Sequence, residues 1–182
     1  YRVGGCLMVL LILLQTSGLM AVFDAEVERA RMTQHRSLLA AQIEQESAWN
    51  CESRSRYAAG CAQFTLPTWA QYSVEVKPSC KGMPRTDPAC AFRAQSLYMK
   101  RLLNLYRMSA SPREQEALAL AAYNGGLGWI RREKRRCKRD SRCSPNRWFG
   151  HVEAHCLRSE RACRENREYP VRVGRLEPNY RR

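Results

Sequence analysis

The sequence predicts a mainly α-helical domain preceded by an N-terminal hydrophobic helix. Three observations carry that prediction. Residues 3–23 contain no charge and centre on the run Leu7–Leu14. The rest of the chain places apolar residues at helical spacing between cap residues and glycine stops, and no run alternates long enough to make a strand. The composition is globular, with 45% hydrophobic and 26% charged residues among 182, which excludes a disordered or collagen-like chain.

As a helix, residues 3–23 would extend about 30 Å, one hydrocarbon core. Arg2 precedes them and Asp24, Glu26 and Glu28 follow, which puts the N-terminus inside and the rest outside the cytoplasm. Residues 1–24 therefore read as a signal-anchor or transmembrane helix. A cleaved signal is the alternative, but the small residues Thr16-Ser17-Gly18 lack an Ala-x-Ala pattern. Both readings export the remainder. Cys6 lies ahead of the apolar run, so it is no lipoprotein cysteine, and a chain starting at Tyr1 implies further residues upstream.

Asp24 is placed to cap a helix leading out of this segment, and a second helix is expected from about Thr33 to Trp49. Cys51–Phe64, rich in Ser, Gly and Arg, reads as a loop, and Thr65-Leu66-Pro67 opens a short helix. Asp87-Pro88 is a cap followed by a first-turn proline, opening a helix to about Met108 with Phe92, Met99, Leu102, Leu103 and Tyr106 on its apolar face. Ser111-Pro112-Arg113-Glu114 is a capping box, and the helix it opens stops at Asn124-Gly125-Gly126. The expected organisation is a helical domain over 25–176 and a tail at 177–182.

Thirty-one Lys+Arg against 17 Asp+Glu give a net charge of +14. Residues 1–130 hold 14 basic and 10 acidic side chains (+4), and residues 131–182 hold 17 and 7 (+10). Within Arg131–Arg139 seven of nine side chains are cationic, a solvated face or a clamp for a polyanion. No helix-turn-helix, zinc finger or aromatic RNA-binding pattern accompanies them, so nucleic acid is not the favoured partner.

Nine cysteines in an exported chain of this size point to disulfides. Cys6 aside, they fall into near neighbours: Cys51/Cys61, Cys80/Cys90, Cys137/Cys143 and Cys156/Cys163. Eight cysteines allow about 105 pairings. Sequential pairing, which closes short loops, is the expectation. Zinc is the rival, weakened by the lack of any Cys-x-x-Cys and of a cysteine pair at finger spacing from His151 and His155. No metal and no cofactor is expected.

Leu39, Ile43 and Glu46 share one helical face, so Glu46 ends an apolar stripe just before the chain breaks at Asn50-Cys51. Desolvation there would disfavour the charged carboxylate, as a proton donor working near neutral pH requires. A solvent-exposed helix-end carboxylate is the plainer alternative. Glu44 points away from the stripe and reads as a solvent residue.

The neighbouring blocks extend this reading. Glu46-Ser-Ala-Trp-Asn50, Gly60-Cys-Ala-Gln-Phe64, Ala121-Ala-Tyr-Asn-Gly-Gly126 and Glu165-Asn-Arg-Glu-Tyr169-Pro-Val-Arg-Val173 occur in that order. Over about residues 33–175 the chain resembles the soluble lytic transglycosylase family, relatives of goose-type lysozyme. The family blocks are Glu-Ser-x-aromatic-Asn, Gly-Leu-Met-Gln, Ala-Tyr-Asn-Ala-Gly and Glu-Thr-Arg-x-Tyr-Val. The resemblance implies a mainly α, lysozyme-like domain that cuts peptidoglycan between N-acetylmuramic acid and N-acetylglucosamine. Glu46 matches the family's catalytic acid. Ser55, Gln63, Tyr123, Asn124, Glu165 and Tyr169 match positions at its glycan cleft. The chain departs from the pattern where Cys61-Ala62 replace Leu-Met, where Cys51 replaces the proline after Asn50, and between Ser55 and Gly60, which is one residue short.

Glu52 is the only acid near Glu46 that could serve as a second carboxylate, so the one-carboxylate route to 1,6-anhydro ends is expected. Peptidoglycan strands are the expected partner, with the membrane engaged through residues 3–23. The expected location is periplasmic or extracytoplasmic, anchored to the inner membrane. Alternatives are a hydrolytic goose-type lysozyme, or a structural or ejected component, secreted, in a phage particle or in a secretion machine. The odd thiol of Cys6 and the nearness of Cys51 to the acid also resemble thiol-exchange switching in phage lysins with releasable membrane segments.

Overall fold

The structure, a computed structural model, describes residues 18–76 and 80–181. Expectations that fall on residues 1–17, including Cys6 and most of the signal-anchor segment, lie outside the described residues. Among the described residues no helix is long and apolar enough to cross a membrane.

The chain is mainly helical, as predicted. Helix α1 covers residues 18–29. A 3-10 turn, Thr33–His35, leads into α2, Arg36–Ser47; then come the two-residue strands β1, Ala58–Ala59, and β2, Phe64–Thr65. Helices α3, Leu66–Val76, α4, Pro88–Leu105, α5, Pro112–Gly125, and α6, Leu127–Cys137, follow. A 3-10 turn at Val152–His155 precedes α7, Glu160–Leu176, and a last turn spans Glu177–Tyr180. The antiparallel strands pair Ala58 with Thr65 and Ala59 with Phe64, too short a run for alternation to reveal.

Several ends follow the sequence. Asp87 Oδ1 accepts the Cys90 amide at 2.8 Å and so caps α4. That helix ends at Leu105 rather than near Met108: the Tyr106 amide is shared between Leu102 O and Leu103 O, each at 3.1 Å, and the Arg107 amide reaches back three residues, to Asn104 O. Ser111 Oγ accepts the Glu114 amide at 3.3 Å, but Glu114 does not complete a capping box. Its carboxylate instead accepts the amides of Trp148 at 2.6 Å and Phe149 at 3.2 Å. Asp24 does not begin a helix: α1 runs through it, and its carboxylate pairs with Arg36 Nε at 2.7 Å.

The described residues divide into two compact units: the chain up to Leu97 together with the residues from Asn179 on, and Tyr98–Pro178. In the first, Phe23, Leu39, Ile43 and Phe92 are fully enclosed. The buried Gln95 amide donates to Leu39 O at 3.0 Å and Gln42 Oε1 at 2.8 Å, satisfying polar groups that water cannot reach. In the second, Leu118, Ile130, Trp148 and Val173 form the core. All four sequential disulfides form: Cys51–Cys61, Cys80–Cys90, Cys137–Cys143 and Cys156–Cys163.

Candidate active site

Glu46 lies in the last turn of α2 and is half-buried, at the end of the stripe formed by the enclosed Leu39 and Ile43. The helix stops at Ser47, and the next residue, Ala48, adopts a left-handed conformation (φ 50°) while its amide bonds Glu44 O. Trp49 follows with φ 64°. Left-handed backbone costs a non-glycine residue about 1–2 kcal/mol, so this turn must be held from outside.

Trp49 supplies the hold. Its ring meets Phe23 edge-on at 5.4 Å and Phe92 at 5.9 Å. Its Nε1–H donates to the Tyr180 hydroxyl at 2.8 Å, and that hydroxyl in turn donates to the Glu44 carboxylate. Glu44 is thus no solvent residue: it terminates a relay that ties the turn after Glu46 to the turn Glu177–Tyr180. Burial, and then the Glu44 carboxylate, push the Tyr180 phenol up to about 12, so it remains a donor at working pH.

The loop after this turn is bound to itself. The Cys51–Cys61 bridge closes it, and the Gly60 amide donates to Ser53 O at 2.9 Å. Gln63, left-handed at φ 46°, donates its side-chain amide to Gly60 O at 2.9 Å and Ser53 O at 3.2 Å. Ser55 is exposed, and its hydroxyl accepts the Ala58 amide at 3.0 Å, which orders the hairpin tip. Gly60 has φ 86°, and a Cβ there would lie 1.9 Å from Arg85 O, so only glycine fits. Cys61 and Ala62, which stand where the family has Leu-Met, are both fully buried. Glu52 is exposed and lies 3.8 Å from Arg54.

The remaining matched residues lie in the second unit. Tyr123 is half-buried near the end of α5, its ring 5.2 Å from that of Tyr98. Asn124 Oδ1 accepts from Asn166 Nδ2 at 3.0 Å, and the same amide donates to Ala121 O at 2.9 Å. Asn166 Oδ1 accepts from Arg158 at 2.6 Å, and Arg158 Nε donates to Glu133 at 3.2 Å. A Cβ at Gly125 would come within 2.3 Å of the Arg158 guanidinium and 2.6 Å of Asn166, so the glycine where the family block has alanine makes room for this network. Tyr169 is buried on α7, while Glu165 is exposed.

Of the matched residues, the structure gathers Glu46, Ser55 and Gln63 in the first unit and Tyr123, Asn124, Glu165 and Tyr169 in the second. Sequence reasoning missed Asn166, Arg158, Glu133, Glu44 and Tyr180. Glu133 did leave a signal: it is the lone acid of the basic run, three residues from Ile130 and four from Cys137, on a face those apolar neighbours bury. Burial raises the Glu133 pKa, against the lowering effect of Arg158. Cys137, Cys143 and His155 bring potential ligand atoms within 4.8 Å of one another, but both sulfurs are committed to a disulfide and offer no thiolate to a metal.

A helical domain of this kind, with an acid at the end of a buried stripe, defines a class that comparison with known proteins makes specific. Residues 19–143 match the model of the transglycosylase SLT domain, and the chain belongs to that family. It is 35% identical over 94 residues to a membrane-bound lytic murein transglycosylase F of Alteromonas mediterranea, covering 51% of this chain and 19% of that protein. It is 31% identical over 111 residues to the protein of the same name from Shewanella loihica, covering 60% of this chain and 21% of the relative. The chain thus spans about a fifth of the length of these curated relatives. The matched stretch begins within α1, and it ends before α7, which carries Glu165 and Tyr169.

Proposed function

We propose that this chain is a peptidoglycan lytic transglycosylase that cuts between N-acetylmuramic acid and N-acetylglucosamine without consuming water, using Glu46 alone as acid and base. The observation that carries the reading is the place of Glu46, half-buried at the end of the buried face of α2 within a transglycosylase SLT domain. The names of the relatives, membrane-bound lytic murein transglycosylases F, support it.

Protonated Glu46 gives its proton to the bridging oxygen as the bond to the muramoyl anomeric carbon breaks. The resulting carboxylate takes the proton of the muramoyl 6-hydroxyl, whose oxygen bonds to the anomeric carbon and closes a 1,6-anhydro ring. A two-carboxylate mechanism needs a second group held against the sugar; the exposed, ion-paired Glu52 does not favour that route. Tyr123 and Asn124 are assigned to the sugar and its developing charge. Ser55 and Gln63 shape the loop that bears on the glycan, and Glu165 and Tyr169 contribute from α7. The enzyme works outside the cytoplasm, anchored through the apolar run around Leu7–Leu14; Phe23, enclosed in the core of the first unit, lies beyond that anchor.

Glu46→Gln should lower clearing of peptidoglycan in a zymogram by about 10²–10⁴-fold. Released muropeptides should be one water lighter than reducing ends. Reducing ends would identify a hydrolytic lysozyme instead. Equal absence of clearing by parent and variant would leave a structural component.

A further inference from the structure

We propose that the second unit carries a docking site for the headgroup of an acidic phospholipid, with Arg131, Lys134 and Arg135 of α6 and Lys138, which caps it, as the cationic rim, and Leu105, the last residue of α4, and Tyr106 after it as the apolar floor. The site requires none of the residues assigned to glycan cleavage.

Positions 131, 134, 135 and 138 follow helical spacing and form one stripe. Here the stripe borders a cavity of about 280 Å³ shared with Leu105 and Tyr106. None of the six lining residues is acidic. Glu133, the one acid of α6, is fully buried and paired with Arg158. Four cations around one concavity, with no carboxylate among them, call for an anion.

The floor indicates an amphipathic anion. Leu105, which lines this cavity, is 47% exposed, and Met108, three residues on in the chain, is 76% exposed; both are large apolar side chains left in water. The glycerol and first acyl carbons of a lipid would cover them. A wall glycan or the carboxylates of its stem peptides would not. The Lys134 ammonium lies 4.9 Å over the Tyr106 ring. Burial, and then Lys138, lower its affinity for its proton, a crowding that a phosphate would relieve. The Tyr106 hydroxyl is buried without a hydrogen-bond partner and, held as a phenol by burial, can only gain from an acceptor.

The test is cosedimentation of the full chain with phosphatidylcholine vesicles and with mixed phosphatidylcholine–phosphatidylglycerol vesicles. The reading is the ratio of the two partition coefficients, in which attachment through parts of the chain outside this site cancels, while the apolar floor counts because it is covered only when an acidic headgroup docks on the rim. Each cation near an anionic surface contributes about fivefold. Arg131→Gln with Arg135→Gln should lower the ratio by about 20-fold or more. Leu105→Ser with Met108→Ser, which leaves the charge unchanged, should lower it by about 10-fold. Four findings would overturn the proposal. One is a parent ratio near one. A second is a ratio insensitive to the arginine pair. A third is a ratio that falls with the arginines but not with the apolar pair, the mark of diffuse attraction. The last is loss of the preference on adding inorganic phosphate at matched ionic strength while the apolar variant behaves as the parent, which assigns a small-anion site.

Discussion

Around Glu46, several side chains act by holding others rather than by facing substrate. Ala48 and Trp49 adopt left-handed backbone without being glycine, and the relay from Trp49 through Tyr180 to Glu44 opposes that cost. The relay has a pH signature. Tyr180 has its pKa raised to about 12 in the fold, against 10.0 as a free phenol. Its contribution is therefore intact below pH 10 and is lost as pH rises from 10 toward about 12, because the unfolded chain ionises first. In Tyr180→Phe this part of the alkaline fall in stability should vanish. At neutral pH the variant should lose about 1 kcal/mol, since the Trp49 indole loses its acceptor. Thermal unfolding of parent and variant across pH 7–12 measures both effects. Parallel curves above pH 10 would remove Tyr180 from this role.

At the level of elements, the fold was legible wherever one residue type carries one local meaning. Asp87-Pro88, Ser111-Pro112 and Gly126 mark helix ends because caps, first-turn prolines and left-handed glycines act within a few residues of themselves. Partners far along the chain were not legible. Glu114 reads as half of a capping box but bonds the amides of Trp148 and Phe149, more than thirty residues on. Asp24 reads as a cap but pairs with Arg36. Glu46 was legible from periodicity, and the residues that fix its turn were not, because Tyr180 is 131 positions from Trp49. The disulfides were legible because each closes a loop of ten residues or fewer. Cys51–Cys61 spans the loop in which Cys51 stands where the family has proline after Asn50. A ten-residue loop is worth about 2.5 kcal/mol in the chain-entropy account. Cys51→Ala with Cys61→Ala should lower stability by that order, and proteolysis should then nick first between Glu52 and Gln63. A loop as resistant as the parent's would show that the hydrogen bonds of Gln63 and Ser55 suffice by themselves.

For the molecule as a whole, charge is the dominant long-range property, and its +10 after position 130 is carried by exposed side chains on more than one element. On α7, Arg161, Arg164, Arg167 and Arg175 are all exposed, while Cys163, Asn166, Tyr169 and Val173 face the core. The arginine face can therefore be altered without touching the packing. The proposed partner, peptidoglycan with its associated polymers, is anionic, so on that proposal this face should hold the chain on the wall by attraction over roughly one Debye length, about 10 Å at 0.1 M salt. Binding to isolated sacculi should weaken steadily as salt rises. Arg164→Gln with Arg167→Gln should lower affinity at low salt and flatten the salt dependence, while leaving the turnover of short soluble glycans unchanged. That split separates retention on a polymer from chemistry at Glu46: a variant that turns over short glycans more slowly as well would place these arginines in the cleavage step, and salt-independent binding by the parent would end the electrostatic account.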